Sequence, residues 1–213
     1  MKKHAETIET GTAWISRRDK VMRRLARDCA PLTSLKLQSN RFGMLVHSIL
    51  SQQISVHAAR AVRGRLVDRI GKPGLTPDAI ADLTLEELRA VGMSRTKAAY
   101  LHDLSEKVSS GAVALNRIGR KTDEDVIGEL IQIKGIGVWT AQMFLIFSLG
   151  RLDVFPHDDY GIRSAIQKLY GLDDLPSRPD SESIAAPWRP YATIATWYLW
   201  RSHELGKAGS GGV

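Results

Sequence analysis

The sequence predicts an all-α protein of about ten short helices. Three observations carry that prediction. Apolar residues recur at helical spacing, as in Trp14, Ile15, Val21, Met22 and Leu25. Helix-start signals recur with them: Thr76 before Pro77, Thr84 with Glu87, Ser94 and Thr122. No segment shows the period-two alternation of a half-buried strand, and no internal repeat is visible.

Taken in order, residues 1–11 are polar and end on Gly11, so they read as loose. A single helix is expected from Thr12 to about Ala30. It carries Arg17, Arg18, Lys20, Arg23, Arg24 and Arg27, a charge run that by default is a solvated face. Phe42 to Ile54 is a strongly apolar helix ending in Ser51-Gln52-Gln53, and Ser55 starts the next, His57 to Ile70. Thr76 has the form of an N-cap with Pro77 at the first helical position. Thr84 and Glu87 have the spacing of a capping box. Gly92 ends that short helix, and Ser94 caps another to about Val108. Thr122 begins a helix that leads into Gly135-Ile136-Gly137, and a further helix follows that turn. Another runs from Asp159 to Tyr170. Pro176, Pro179 and Pro187 then mark a loop, and the last helix, from about Arg189 to Leu205, holds Trp197, Tyr198 and Trp200. The closing GKAGSGGV reads as flexible.

Composition bounds the function. The 213 residues suit one domain or two small lobes, and 43% hydrophobic residues are enough for a sizeable core. No apolar run nears the ~20 residues of a membrane span. The opening MKKHAETIETGTAW has no apolar stretch of the kind a secretory signal needs. Cys29 is the only cysteine, so internal disulfides and four-cysteine clusters are excluded, and a buried structural thiol is expected. Thirty Lys and Arg against 23 acids give a net charge of +7, which favours an anionic partner, nucleic acid being the commonest. Charge alone equally fits a merely soluble basic surface. No GxGxxG or P-loop sequence supports a nucleotide cofactor. The six histidines lack metal-ligand spacing, and His157-Asp158-Asp159 is too short to enclose a metal.

The most informative stretch is LIQIKGIGVWTAQMFLIFSLGRLDVFPHDD, residues 130–159. Two glycines bracketing one apolar residue let the backbone turn tightly and approach another surface. The turn opens a helix, whose first N–H groups can hold a phosphate oxygen. The alternative is a structural αα-hairpin with glycines for close packing. Asp158 and Asp159 fit a helix N-cap and its neighbour, Asp158 reading as the cap or orienting residue. They equally fit a catalytic carboxylate near a helix N-terminus, suited to opposing positive charge or activating water. Trp139, Trp188 and Trp197 are candidates for stacking on a base, although aromatics at helical spacing are more often core. Gln52 and Gln53 lie between apolar runs; they suit either a tight helix–helix junction or a side chain that plugs the gap left by a displaced nucleotide.

Together these residues resemble the helix-hairpin-helix DNA glycosylase superfamily, and most closely its 3-methyladenine DNA glycosylase II branch. The likeness rests on Leu130 to Ala141, then Asp153 to Asp159, with Ile49 to Ser55 and Val91 to Ala98 upstream and Pro187 to Tyr191 and Trp197-Tyr198 downstream. It covers about residues 35–205. The resemblance implies two helical lobes, 36–149 with the hairpin and 1–35 with 150–213, a cleft between them, and the catalytic aspartate near the junction. It places the essential aspartate on Asp159. The base pocket falls on Trp139, Trp197, Met143 and Gln52, and the duplex wedge on Gln53. The phosphate contacts fall on Lys134, Gly135, Ile136, Gly137 and Thr140, often helped by a monovalent cation at the hairpin backbone.

Strand-cleaving relatives carry a lysine two residues after the second hairpin glycine; here Trp139 stands there, which implies hydrolysis alone. Met143 stands where some alkylation-repair relatives have an aromatic. The cluster cysteines of other branches are absent, and with helices beginning by about Thr12 the N-terminal β-domain of some bacterial members is not expected. The resemblance therefore implies a monofunctional glycosylase, without cofactor, that releases alkylated purines from double-stranded DNA. It would act as a monomer away from membranes, in the cytoplasm and nucleoid of a bacterium or the nucleus of a eukaryote. The alternatives are a glycosylase for deaminated or mismatched bases and a non-catalytic DNA-binding module.

Overall fold

The computed structural model describes the backbone of residues 2–29, 31–72 and 74–210, with side chains from residue 6 to residue 203. Its helices are α1 (Lys2–Arg18), α2 (Lys20–Asp28), α3 (Arg41–Ser51), α4 (Val56–Ile70), α5 (Pro77–Ala81) and α6 (Leu85–Ala90). They continue with α7 (Arg95–Ser109), α8 (Asp123–Leu130), α9 (Val138–Phe147), α10 (Tyr160–Tyr170), α11 (Arg178–Ala185) and α12 (Ala192–Ser210). Among the described residues there is no strand, and no helix is long and apolar enough to cross a membrane. The chain divides into two compact units, residues 38–149 and residues 1–37 with 150–213.

In the unit 38–149, local chemistry sets the helix starts. Ser55, Thr76, Ser94 and Thr122 each accept the backbone N–H three residues on, and Thr84 and Glu87 cap each other. Asn40 does the same for α3 through Gly43 N at 2.7 Å, and its amide donates to the Leu75 carbonyl. Against α3 pack α4, α7 and α9, with Leu45, Val46, Ile49, Leu101, Leu104 and Phe144 buried.

The other unit is built on α12, against which α1, α2 and α10 pack. Its core holds Ile8, Ile15, Met22, Ile162, Ile166, Trp188 and Leu199. Cys29 is buried, and burial pushes its thiol up, as a structural role requires.

Four expectations change here. Residues 2–11 are helical rather than loose, because Ile8 and Ile15, two turns apart, are both buried. Gly11 lies within that helix. A Cβ there would sit 2.2 Å from Ile194 Cδ1 and 2.7 Å from Tyr191 Cδ1, so the glycine is a close-packing position and not a stop. The helix expected from Thr12 onward breaks at Asp19. That residue leaves helical geometry and caps α2 by accepting Val21 N and Met22 N; Ala30, the expected end, lies outside the described residues. The Pro-rich loop contains α11, started by a second capping box between Ser177 and Asp180. The final helix begins at Ala192 instead of Arg189 and runs to Ser210, into the tail expected to be flexible, whose last residues 211–213 lie outside the described ones.

Candidate active site

Hairpin chemistry belongs to the unit 38–149. Helices α8 and α9 are joined by residues 131–137. Gly135 has φ +82°, and a Cβ there would stand 2.2 Å from Cδ2 of Tyr100. Both the backbone conformation and the ring pressed on it therefore demand glycine. Gly137 is the N-cap of α9, with no side chain accepting from the helix, and the space where its Cβ would be is open. No side-chain cap closes the start of α9, and the space beside Gly137 is open, an arrangement of the kind that receives a phosphate. Thr140 and Ile136 are buried, so at those positions any contribution to anion binding comes from the backbone. Lys134 is exposed.

Two side chains, Asp103 and Gln52, bond to the hairpin, and a third, Lys97, braces the turn that carries Gln52. Asp103 accepts the Lys134 backbone N–H at 2.8 Å and the Lys107 ammonium at 2.7 Å. Burial alone would raise the Asp103 carboxyl. The Lys107 and Lys134 hydrogen bonds and the charges of both lysines outweigh it and hold the group below its ordinary range. Gln52 donates its amide N–H to the Gly135 carbonyl at 2.7 Å. Lys97 donates to the carbonyls of Leu50 and Gln52 at 2.8 and 2.7 Å, satisfying the end of α3 with a cation. Burial lowers the Lys97 ammonium from its ordinary value.

The helix expected to reach Ile54 stops at Ser51, since Gln52 is extended and Gln53 takes φ +55°. A glutamine in the left-handed region carries strain of about 1 kcal/mol. Gln53 is exposed, with Ile54 and Val56 also exposed beside it. Trp139 is 46% exposed in the first turn of α9, and Met143, one turn on, is buried.

The carboxylate belongs to the other unit. The segment 151–155 is latched to the start of α12. Thr193 donates its backbone N–H to the Leu152 carbonyl at 2.9 Å, and its hydroxyl accepts Val154 N at 3.0 Å. Asp153 accepts from Arg189 at 2.9 Å and from Ala192 N at 3.3 Å. From this anchored segment the chain turns at Pro156, whose carbonyl accepts Asp159 N, and enters α10.

Asp159, rather than Asp158, is the cap: its Oδ1 accepts Ile162 N at 2.9 Å. Both acids suit an N-cap by type, and only the backbone turn decides between them. Asp158 points to solvent with its Oδ2 3.1 Å from His157 Nε2, misaligned for a hydrogen bond. A Cβ on Gly161 would lie 3.2 Å from Asp159 Oδ1 and 3.7 Å from the His203 ring, so glycine keeps that approach clear. Trp197 is half-buried and meets Tyr198 edge-on at 5.1 Å. Trp188 is not a stacking surface: it is fully buried and donates its indole N–H to Asp19. Among the described residues, no group of three or more His, Cys, Asp or Glu could hold a metal ion.

Residues 46–190, which span both the hairpin and Asp159, match the family model of the HhH-GPD superfamily base excision DNA repair proteins. The chain belongs to that superfamily. Within it, the chain falls in the 3-methyladenine glycosylase branch. It is 35% identical over 178 residues to the putative DNA-3-methyladenine glycosylase YfjP of Bacillus subtilis, covering 81% of this chain and 62% of that relative's length. Its fold superposes on a DNA-3-methyladenine glycosidase of Bacillus halodurans with a TM-score of 0.82 at 33% identity, over 91% of this chain and 88% of that one. A TM-score of 0.81 at 31% identity relates it to the 3-methyladenine DNA glycosylase Mag1 of Schizosaccharomyces pombe in complex with abasic DNA, over 92% of this chain and 97% of that one.

Of the residues expected from the sequence, Gln52, Gln53, the hairpin, Trp139 and Met143 share one unit, and Asp159 and Trp197 the other. Within the first unit, the Gln52 amide bonds directly to the hairpin at Gly135. Tyr100 and Asp103, which shape the hairpin, carried no recognisable sequence signal, and Lys97 stood out only as part of a family-like string.

Proposed function

We propose that the chain is a monofunctional DNA glycosylase that releases alkylated purines of the 3-methyladenine and 7-methylguanine type from double-stranded DNA, starting base excision repair. The observation that supports this reading best is Asp159 at the N-cap of α10, inside the segment that matches the superfamily. The chemistry follows from charge. Flipping the damaged nucleotide out of the duplex costs a few kcal/mol, least where pairing is already weak. Gln53, exposed and held in a strained turn, fills the vacated space. A purine alkylated at N3 or N7 is cationic, so an indole face, that of Trp139 or of Trp197, would attract it by up to ~2 kcal/mol where desolvated. The same charge makes it a good leaving group, and the C1′–N bond breaks with both electrons going to the base. Asp159 opposes the oxocarbenium charge left on the sugar and helps direct the water that attacks C1′.

Trp139 offers no amine, so no Schiff base forms at that position and the product is an intact strand with an abasic site. The hairpin binds phosphate through backbone N–H groups. Its carbonyls at Leu130, Ile133 and Gly135 each accept one hydrogen bond and keep a second lone pair. These are oxygen donors that fit a monovalent cation, which would add positive charge beside the phosphate. The protein acts as a monomer on DNA, in the nucleoid of a bacterium or the nucleus of a eukaryote. Incubation with methylated duplex DNA and, in parallel, with duplexes carrying uracil or hypoxanthine, followed by chromatographic identification of every base released, tests the proposal. Release of 3-methyladenine and 7-methylguanine is expected. Release of only uracil or hypoxanthine would reassign the substrate, and release of nothing would leave a binding module.

A further inference from the structure

The basic run near the N-terminus is absent from the chemistry above, and its geometry is unusual. Six of the chain's 30 Lys and Arg lie between Arg17 and Arg27, against one acid, Asp19; without that stretch the protein has 24 bases against 22 acids. The single acid offers no compensation at the surface. Asp19 turns inward, where it caps α2 and accepts from the Trp188 indole and the Tyr170 hydroxyl. Lys20, Arg24 and Arg27 follow one another four and three residues apart, so they form one stripe about 10 Å long on α2. Met22 and Leu25, on the opposite face, are buried. Arg18 stacks on Trp14 at 3.2 Å, and Arg23 is fixed by a 2.8 Å bond to the Ser16 carbonyl. Arg27 shares Asp28. Arg17, Lys20 and Arg24 are exposed and make no close ion pair among the described residues, although Asp28, paired with Arg27, also feels the charge of Arg24.

This face is remote from the candidate carboxylate. Tyr170, whose hydroxyl reaches Asp19, ends α10, and Asp159 caps its other end. A separation of eleven positions along the helix puts the two ends about 16 Å apart. That is the axial length of about five base pairs.

We propose that the exposed cations Lys20 and Arg24 on α2, with Arg17 at the end of α1, form a second duplex-DNA site, which holds the phosphate backbone outside the stretch that carries the lesion. Lys20 and Arg24, about 6 Å apart along α2, match about two successive phosphates of one strand, and Arg17 supplies a third cation. Charge complementarity to the protein's own substrate polymer selects the occupant. The inference rests on the reading of the chain as a DNA glycosylase, and its test separates the two.

The triple variant Arg17→Gln, Lys20→Gln, Arg24→Gln removes three phosphate contacts without touching the hairpin or Asp159. Binding to an undamaged 60-base-pair duplex is measured against salt, alongside single-turnover base release from a methylated 12-base-pair duplex. The variant should lose about 2.7 from the slope of log K against log salt and bind more than about tenfold more weakly at 0.1 M salt. Base release from the short duplex should be unchanged. Replacing Arg17 and Arg24 by Lys should restore most of the affinity, because the contact is one of charge. An unchanged slope and affinity in the triple variant would make the stripe a solvated face and overturn the proposal. So would a loss confined to binding of phosphatidylserine vesicles. If the wild type released no base yet the slope shifted as expected, the glycosylase reading would fail while the second site stood.

Discussion

Replacing Asp159 separates the helix cap that its side chain makes from the catalytic role proposed for it. Its Oδ1 caps α10 through Ile162 N at 2.9 Å, and its charge is proposed to oppose an oxocarbenium ion. Asn caps a helix about as well as Asp, so Asp159→Asn removes the charge and keeps the cap. Ala removes both. At about 4 Å and an effective dielectric of about 20, a carboxylate and a unit positive charge attract by about 4 kcal/mol. That corresponds to roughly a thousandfold in rate. Both variants should therefore lose about a thousandfold in single-turnover base release from methylated duplex DNA while still binding it. Only Asp159→Ala should lose about 1 kcal/mol of stability, a fall of roughly 2–4 °C in Tm for a chain of this size. The reasoning is refuted if Asp159→Asn keeps more than about a tenth of wild-type turnover. A pattern in which activity follows Tm, with Asn near wild type and Ala poor, would leave Asp159 as a cap alone.

Three further outcomes follow from the hairpin and its supports. Gly135→Ala would drive a Cβ to 2.2 Å from Tyr100 at φ +82°, so it should destabilise the protein by roughly 1–3 kcal/mol and weaken binding to all DNA sequences alike, measured by thermal melting and a panel of duplexes. Borohydride added during turnover should trap no covalent protein–DNA adduct at a rate matching base loss; efficient trapping would assign an amine nucleophile in place of water. The Asp103 carboxyl is held below its ordinary value of 3.8, so its contribution to stability is complete above that pH and is lost as pH falls through the depressed value. Asp103→Asn should flatten the acid limb of a stability-versus-pH curve below about pH 4, and an unchanged limb would remove Asp103 from the acid response.

What the chain reveals to a reader depends on how far each signal reaches. The caps at Thr76, Thr84, Ser94 and Thr122 are legible because donor and acceptor lie three residues apart. The capping box of Ser177 and Asp180 is equally local, but three prolines around it suggested a loop. Helix α1 is hidden because its stability comes from burying Ile8 and Ile15 against α12, more than 170 residues away in sequence. The break at Asp19 is hidden for the same reason, since its partners Tyr170 and Trp188 are distant. Within the site, the glycines announce a turn. Neither the Tyr100 ring against Gly135 nor the bond from Gln52, 83 residues away, leaves a trace in any short window. Trp188 misled because a tryptophan can stack on a base or fill a core, and only its zero exposure tells which.

The bond from Gln52 to the Gly135 carbonyl has a mechanical meaning. Lys97 fixes the Gln52 carbonyl on the other side, so the turn presenting Gln53 and the loop presenting its N–H groups move as one piece. With the roles proposed above, the unit would work as a caliper: with the hairpin on a phosphate, Gln53 would meet the base stack at a set offset along the duplex, and each position would be tested by how readily it yields.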